Sequence, residues 1–203
     1  MPTQPHRNTG KGAMNSSAIS PREAAFHEAG HAVAALRLGM IVTRATIHPP
    51  VASDHGEIYG ECAAFYRPVM RGLEAFERIA PDRRLRLAKL REARHGSIVA
   101  MAGEMAGACQ GLSDRDHRDQ LLAVAEELFP TPAQQKAFTF RVMCRAVQIV
   151  NDHWRAIEEI AEQLLEEGEL SGLSLKAIYR HYPANPQLPR RLQVVLNKKT
   201  TKE

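Results

Sequence analysis

The chain has 203 residues, of which 44% are hydrophobic and 25% are charged, as in folded globular proteins. No apolar run approaches the ~20 residues of a membrane-spanning helix, and the first residues lack a signal-peptide core, so a cytoplasmic protein without a membrane span is expected. Three distant cysteines without CxxC spacing fit reduced thiols. The net charge is +4, but the densest basic stretch, residues 83–91, lacks interleaved aromatics, so nucleic-acid binding is not expected.

The first predicted element is a helix that follows a polar tail. Residues 1–19 are rich in Pro, Asn, Ser and Gly, which predicts a disordered segment. The sequence Ser20-Pro21-Arg22-Glu23 has the form of a capping box with proline at the first helical position. A helix is therefore predicted to begin at about residue 21, and Gly39 is a suitable residue to end it.

Two strands are predicted after this helix. Residues 41–48 are β-branched and partly alternating, which favours a strand. Pro49-Pro50 is expected to end that strand, and a weaker strand is predicted at about 57–62. The two strands would form a small sheet beside the first helix.

The remainder of the chain is predicted to be helical. Helices are expected over about 71–79, from Pro81 through the small-residue segment 97–108, over 116–128, along an amphipathic pattern from 131 to 168, and over 174–179. The predicted fold class is therefore mainly α (α+β), with one domain over residues 20–182. Residues 183–203 are predicted to form an extended, proline-rich and basic tail.

Residues 27–31 carry the clearest chemical pattern, because they read His-Glu-Ala-Gly-His. On a helix, His27 and His31 project from one face and can share a metal ion, typically zinc, while Glu28 can serve as a general base. This HExxH pattern is typical of zinc metallopeptidases, although so short a pattern can also arise by chance on a solvated surface. Gly30 costs about 1 kcal/mol relative to alanine inside a helix, so another element is expected to pack closely against it.

A catalytic zinc usually takes three protein ligands, so a third is needed. Ala34 and Arg37 stand where a metzincin has glycine and histidine. A thermolysin-like glutamate is also missing, because the downstream glutamates fall on the second predicted strand. The densest source of ligands is residues 113–120, where Asp119 is expected on the inner side of a helix and could bind the metal. The alternative is a solvated aspartate.

Several segments, in order, resemble the peptidase domain of FtsH-type ATP-dependent zinc metalloproteases. The resemblance rests on Phe26–Ala32, Thr46–Pro49, Ala102–Gly107, Arg118–Ala123 and Asn151–Leu170, and it covers about residues 20–180. It implies a helical zinc-peptidase domain in which His27, His31 and Asp119 hold the metal. The sequence has no GxxxxGK[ST] motif and no membrane anchor, so a free-standing peptidase domain is expected, and a separate ATPase partner is conceivable.

The leading functional hypothesis is a zinc metalloendopeptidase that hydrolyses peptides or unfolded proteins. Glu28 would take a proton from metal-activated water, and the strand at 41–48 could align an extended substrate if its edge is open. One alternative is a catalytically silent, zinc-bearing module with a binding or regulatory role. A second alternative is a helical partner-binding subunit whose histidines merely pack.

Overall fold

A computed structural model describes residues 19–53, 56–65, 81–111 and 116–185. The described residues form, in order, α1 (Pro21–Arg37), β1 (Ile41–Ser53), β2 (Gly56–Phe65), α2 (Pro81–Ala108), α3 (Asp116–Leu128), α4 (Pro132–Asp152), α5 (Trp154–Glu167), β3 (Glu169–Ser171) and α6 (Gly172–His181). The predicted class, mainly helical with a small sheet, is confirmed. Of the helices in these ranges, none is long and apolar enough to cross a membrane. The helix predicted over 71–79 lies outside the described residues, as do most of both predicted tails.

Helix α1 begins and ends as predicted. The Ser20 hydroxyl accepts a hydrogen bond from the Glu23 amide at 3.2 Å, and the Glu23 carboxylate accepts one from the Ser20 amide at 2.7 Å. At the other end Gly39 is left-handed, with φ +76°, and the Met40 amide donates to the Ala35 carbonyl at 2.9 Å. This is a Schellman motif. Local hydrogen bonds therefore fix both ends of the helix that carries the HExxH residues.

Helix α1 lies at the centre of the core and packs against α2, α5, β1 and β2. Its buried apolar residues are Ala24, Ala25, Phe26, Ala29, Ala32, Val33, Ala34 and Ala35. The approach to α2 is closest at Gly30, where a Cβ would lie 2.6 Å from the Ala102 carbonyl oxygen and 2.8 Å from the Ala106 Cβ. The close packing predicted at Gly30 is confirmed.

The sheet is antiparallel, with the strand order β2-β1-β3. The prediction that Pro49-Pro50 ends the first strand is wrong, because β1 continues to Ser53. The prolines instead coincide with a register shift between Ile47 and Val51, since proline has no amide proton to donate to the ladder. Strand β3 was not predicted; it is only three residues long and pairs with Arg44–Thr46 of β1.

The amphipathic pattern predicted from 131 to 168 forms two helices rather than one. The break lies at His153, with φ −116° and ψ 21°. Backbone hydrogen bonds run through it, because the His153 amide donates to Ile149 and the His153 carbonyl accepts from Ile157. Gly168 ends the second helix in the left-handed region, with φ +77°, as predicted.

Candidate metal centre

Three histidine rings meet between α1 and α3. The Nε2 atom of His27 lies 2.8 Å from the Nε2 of His31 and 3.2 Å from the Nε2 of His117. The ligand atoms of the three residues all lie within 4.8 Å of one another, and each residue is half-buried. A single metal ion could therefore contact all three rings.

Helix α2 fixes the orientation of the His31 ring. The His31 Nδ1 lies 2.9 Å from the carbonyl oxygen of Val99. A carbonyl only accepts, so Nδ1 carries the proton, and a neutral His31 ring presents an unprotonated Nε2 to the cluster. Further along α2, Gly103 provides the space for the ring, because a Cβ there would overlap the His31 imidazole.

The protons of three neutral rings cannot satisfy the contacts around His27. Since the Nε2 of His31 is unprotonated, the Nε2–H of His27 can donate to it, but the contact with His117 is then unsatisfied. If His117 donates to His27 instead, two lone pairs face each other between His27 and His31. A cation at the centre would satisfy all three lone pairs, so the donor set fits a metal ion.

The remaining atoms of the cluster agree with this interpretation. Burial, and then the charge of His117, lower the pKa of His27 to about 4, so its ring is neutral at pH 7 and able to bind a metal. The Nδ1 atoms of His27 and His117 are buried without a hydrogen-bond partner in the described part of the chain. Within the described residues, the contact with Val99 therefore orients the His31 ring, while the Nδ1 atoms of His27 and His117 have no such contact.

Asp119 is not part of the cluster. Its side chain is exposed, whereas His117 lies on the same side of α3 as the buried Leu121 and Ala125. Positions two apart on a helix differ by about 200°, so Asp119 and His117 lie on nearly opposite faces. The exposed face that Asp119 shares also carries Leu122, Ala123 and Glu126. We therefore replace Asp119 with His117 as the candidate third ligand.

The spacing of His117, Leu121 and Ala125 is a sequence signal for His117, although it does not decide between the two faces of α3. These residues recur every four positions and form the buried stripe of α3. The opposite stripe, predicted to face inward, also contains a leucine and an alanine.

Glu28 lies buried between α1 and β2. Its side chain is only 6% exposed, and a Cβ at Gly60 would lie 2.7 Å from its Cγ and 2.9 Å from its Oε1. Burial, and then the charge of Glu61, raise the pKa of Glu28 to about 8. In the metal-free protein Glu28 is thus mostly protonated at pH 7. A cation bound by the neighbouring histidines would oppose this shift.

An ion pair joins α2 and α3 at residues that neighbour Gly103 and His117 in the sequence. Glu104 is buried on α2, directly after Gly103, and its Oε1 lies 4.0 Å from the guanidinium of Arg118. Arg118 directly follows His117. The pair therefore connects the helix that accommodates His31 with the helix that carries His117.

The three cysteines do not join the histidine cluster. Burial and the nearby Glu28 and Glu61 raise the pKa of Cys62 to about 12, so its thiol stays protonated. Cys109 is half-buried and Cys144 is exposed, and none of the three forms a disulfide within the described residues.

Comparisons with known proteins give no family assignment. No protein-family model matches the chain, and no curated protein matches it either. Function is therefore inferred from the site: three imidazoles around one point, and a buried carboxyl group next to one of them on α1.

Proposed function

We propose that this chain is a zinc-dependent metallopeptidase in which His27, His31 and His117 hold the metal. The observation that carries the proposal is the convergence of three Nε2 atoms whose contacts cannot all be made by two-centre hydrogen bonds among three neutral rings. Neutral imidazoles suit zinc and other transition metals. Zinc is preferred because three protein ligands with one open position are typical of catalytic zinc sites.

Glu28 supplies the acid–base chemistry. Zinc bound at the histidines would lower the pKa of water towards about 7 and polarise a substrate carbonyl. Glu28 accepts the proton of the attacking water and then delivers it to the leaving amine. The raised pKa of about 8 in the metal-free protein leaves this carboxyl easy to protonate, and a nearby cation shifts it towards the carboxylate that a base requires.

The sheet offers one edge for an extended substrate. The edge suggested from the sequence is not open, because β1 pairs with both β2 and β3 at Arg44–Thr46. Strand β2 is an outer strand of the described sheet, and its Gly60 adjoins Glu28. An unfolded segment that pairs with β2 would pass beside the proposed base.

The resemblance to FtsH-type peptidases supports the same reaction class. The similar segments include the HExxH helix and the strand that follows it. The resemblance implies Asp119 as the third ligand, whereas the third residue at the cluster of this chain is His117. Peptides or unfolded proteins are the proposed substrates. A separate ATPase that would unfold larger substrates stays a prediction.

The test is casein cleavage by the zinc-loaded wild type and by Glu28→Gln, with zinc content measured for both. Glu28→Gln should retain zinc and lose activity by about a hundredfold or more. Glu166→Gln, which changes an exposed carboxylate on α5, is the matched control and should behave as the wild type.

Two results would contradict the proposal in different ways. A wild type that binds zinc without cleaving casein would be a zinc-bearing binding or regulatory module. A wild type that binds no zinc would indicate that the three histidines merely pack.

A further inference from the structure

Helices α3 and α4 form an apolar groove of about 770 Å³ between them. Leu122 and Ala125 of α3 and Phe140, Met143 and Val147 of α4 line it. The Phe140 side chain is 68% exposed and that of Leu122 is 46% exposed. Exposed apolar surface of this kind, rimmed by polar residues, is typical of a protein-interaction site.

The groove is separate from the candidate metal centre. Its exposed lining on α3 includes Leu122, and where it reaches the buried stripe of α3, at Ala125, it lies about 12 Å along the helix axis from His117. A partner bound in the groove need not contact the three histidines, so this site stands independently of the proposed function.

We propose that this groove binds a second copy of the chain in a two-fold symmetric dimer. In such a dimer the same surface meets itself, so the surface must carry both halves of each contact. The groove meets this requirement in composition, because the exposed Phe140 is itself part of the apolar lining and could pack against the Phe140 of the other copy. Two large aromatic side chains are then buried together.

The charges of the groove also complement each other. Its charged lining residues are Glu126 on the α3 wall and Lys136 on the α4 wall, and both are exposed. When α3 of one copy lies over α4 of the other, the two-fold axis pairs Glu126 with Lys136 twice. A strongly acidic or basic partner would instead be favoured by a rim of one sign.

Sedimentation equilibrium of the full chain tests the dimer. The wild-type mass should rise from that of a monomer to that of a dimer as the concentration increases from about 1 to about 100 μM. Phe140→Asp should raise the dissociation constant by about tenfold or more. Leu173→Asp is the matched control, because Leu173 is 83% exposed on α6 and outside the groove, and it should dimerise as the wild type does.

A charge exchange tests the pairing of the two copies. Glu126→Lys and Lys136→Glu should each weaken the dimer, and the double variant should recover wild-type affinity within about threefold. Circular dichroism shows whether each variant is folded. If Phe140→Asp does not fold, the dimerisation of the Glu126 and Lys136 variants, whose changes are at exposed positions, tests the proposal instead.

Three results would overturn the proposal. These are a wild type that stays monomeric throughout, equal dimerisation by Phe140→Asp and Leu173→Asp, and a double charge variant no tighter than its single parents.

Discussion

At the scale of single residues, replacing a carboxylate ligand by an imidazole changes the charge of the proposed site. With three neutral histidines as ligands, a zinc site would have a net charge of about +2, whereas an aspartate ligand would reduce that charge by one unit. The nearest acidic group on the same helix is Glu28, which is buried and has a pKa raised to about 8. A more positive ion lowers that pKa further, so His117 should help to keep Glu28 available as a base.

The ligand assignment leads to a direct comparison of two alanine variants. His117→Ala should reduce zinc affinity by about a hundredfold or more. Removing a group that only hydrogen-bonds to a metal ligand already costs about 10–100-fold in affinity, and removing the ligand itself should cost at least as much. Asp119→Ala should bind zinc as the wild type does, because Asp119 is exposed on the other face of α3. Competition with a chromogenic chelator measures both, and the opposite ranking would restore Asp119 as the ligand.

The buried Glu28 should make the metal-free protein less stable as the pH rises. Its pKa is about 8 in the folded protein against an ordinary value of 4.5, so the unfolded chain releases its proton first. Between pH 6.5 and pH 8 this should lower the free energy of unfolding by about 1–2 kcal/mol.

The pH window lies at the upper end of the opposing titration of His27. The pKa of His27 falls from 6.5 to about 4 on folding, so its stability contribution changes mainly below pH 6.5 and by less than about 0.5 kcal/mol above it. Urea unfolding in the presence of a chelator gives the pH dependence. Glu28→Gln should flatten the dependence of the free energy of unfolding on pH, and Glu166→Gln should not. Equal slopes in both variants would contradict the raised pKa of Glu28 as the cause.

At the scale of elements, glycines set how closely α1 and α2 approach. Gly30 adjoins the Ala102 carbonyl, and Gly103 adjoins the His31 ring. Gly96, also on α2, has open space around the position of a Cβ. The same helix therefore contains one glycine that makes room for the His31 ring and one that only lowers helix propensity.

Alanine substitutions should separate the two kinds of glycine. Gly96→Ala should stabilise the protein by up to about 1 kcal/mol. Gly103→Ala should destabilise it by about 1–3 kcal/mol, since the added methyl group displaces the His31 ring, and should weaken zinc binding. Urea unfolding and zinc titration give both quantities, and a stabilised Gly103→Ala with wild-type zinc affinity would contradict this packing.

Features that depend on neighbouring residues could be predicted from the sequence. The Ser20 capping box and the left-handed Gly39 and Gly168 are local signals, and the structure contains all three. The pairing of His27 with His31 needs only the helical repeat, and it too is present.

Features set by distant contacts could not be predicted in the same way. Both faces of α3 carry a leucine and an alanine, so the sequence does not show whether His117 or Asp119 faces the core; packing against other helices decides it. Strand β3 exists through pairing with Arg44–Thr46, far away in the sequence. The break at His153 leaves the apolar stripe uninterrupted, since Val150, Trp154 and Ile157 are all buried.

At the scale of the whole molecule, zinc should stabilise the fold. A ligand at a thousandfold excess over its dissociation constant contributes about 4 kcal/mol, which for a domain of this size raises Tm by roughly 10 °C. Calorimetry of the zinc-loaded protein with and without EDTA should show this difference. His117→Ala should show little of it, and an equal shift in that variant would place the stabilising metal elsewhere.

The separation of His27 and His117 along the chain gives the proposed metal a further consequence. The two residues are 90 positions apart, so an ion held by both is a removable cross-link that closes a long loop. By the chain-entropy relation for cross-links, such a closure removes about 4–5 kcal/mol of freedom from the unfolded chain. During synthesis the HExxH segment is made long before α3, so a nascent or truncated chain offers two nitrogens at most. Full metal affinity would then appear only once α3 has been made and packed against α1.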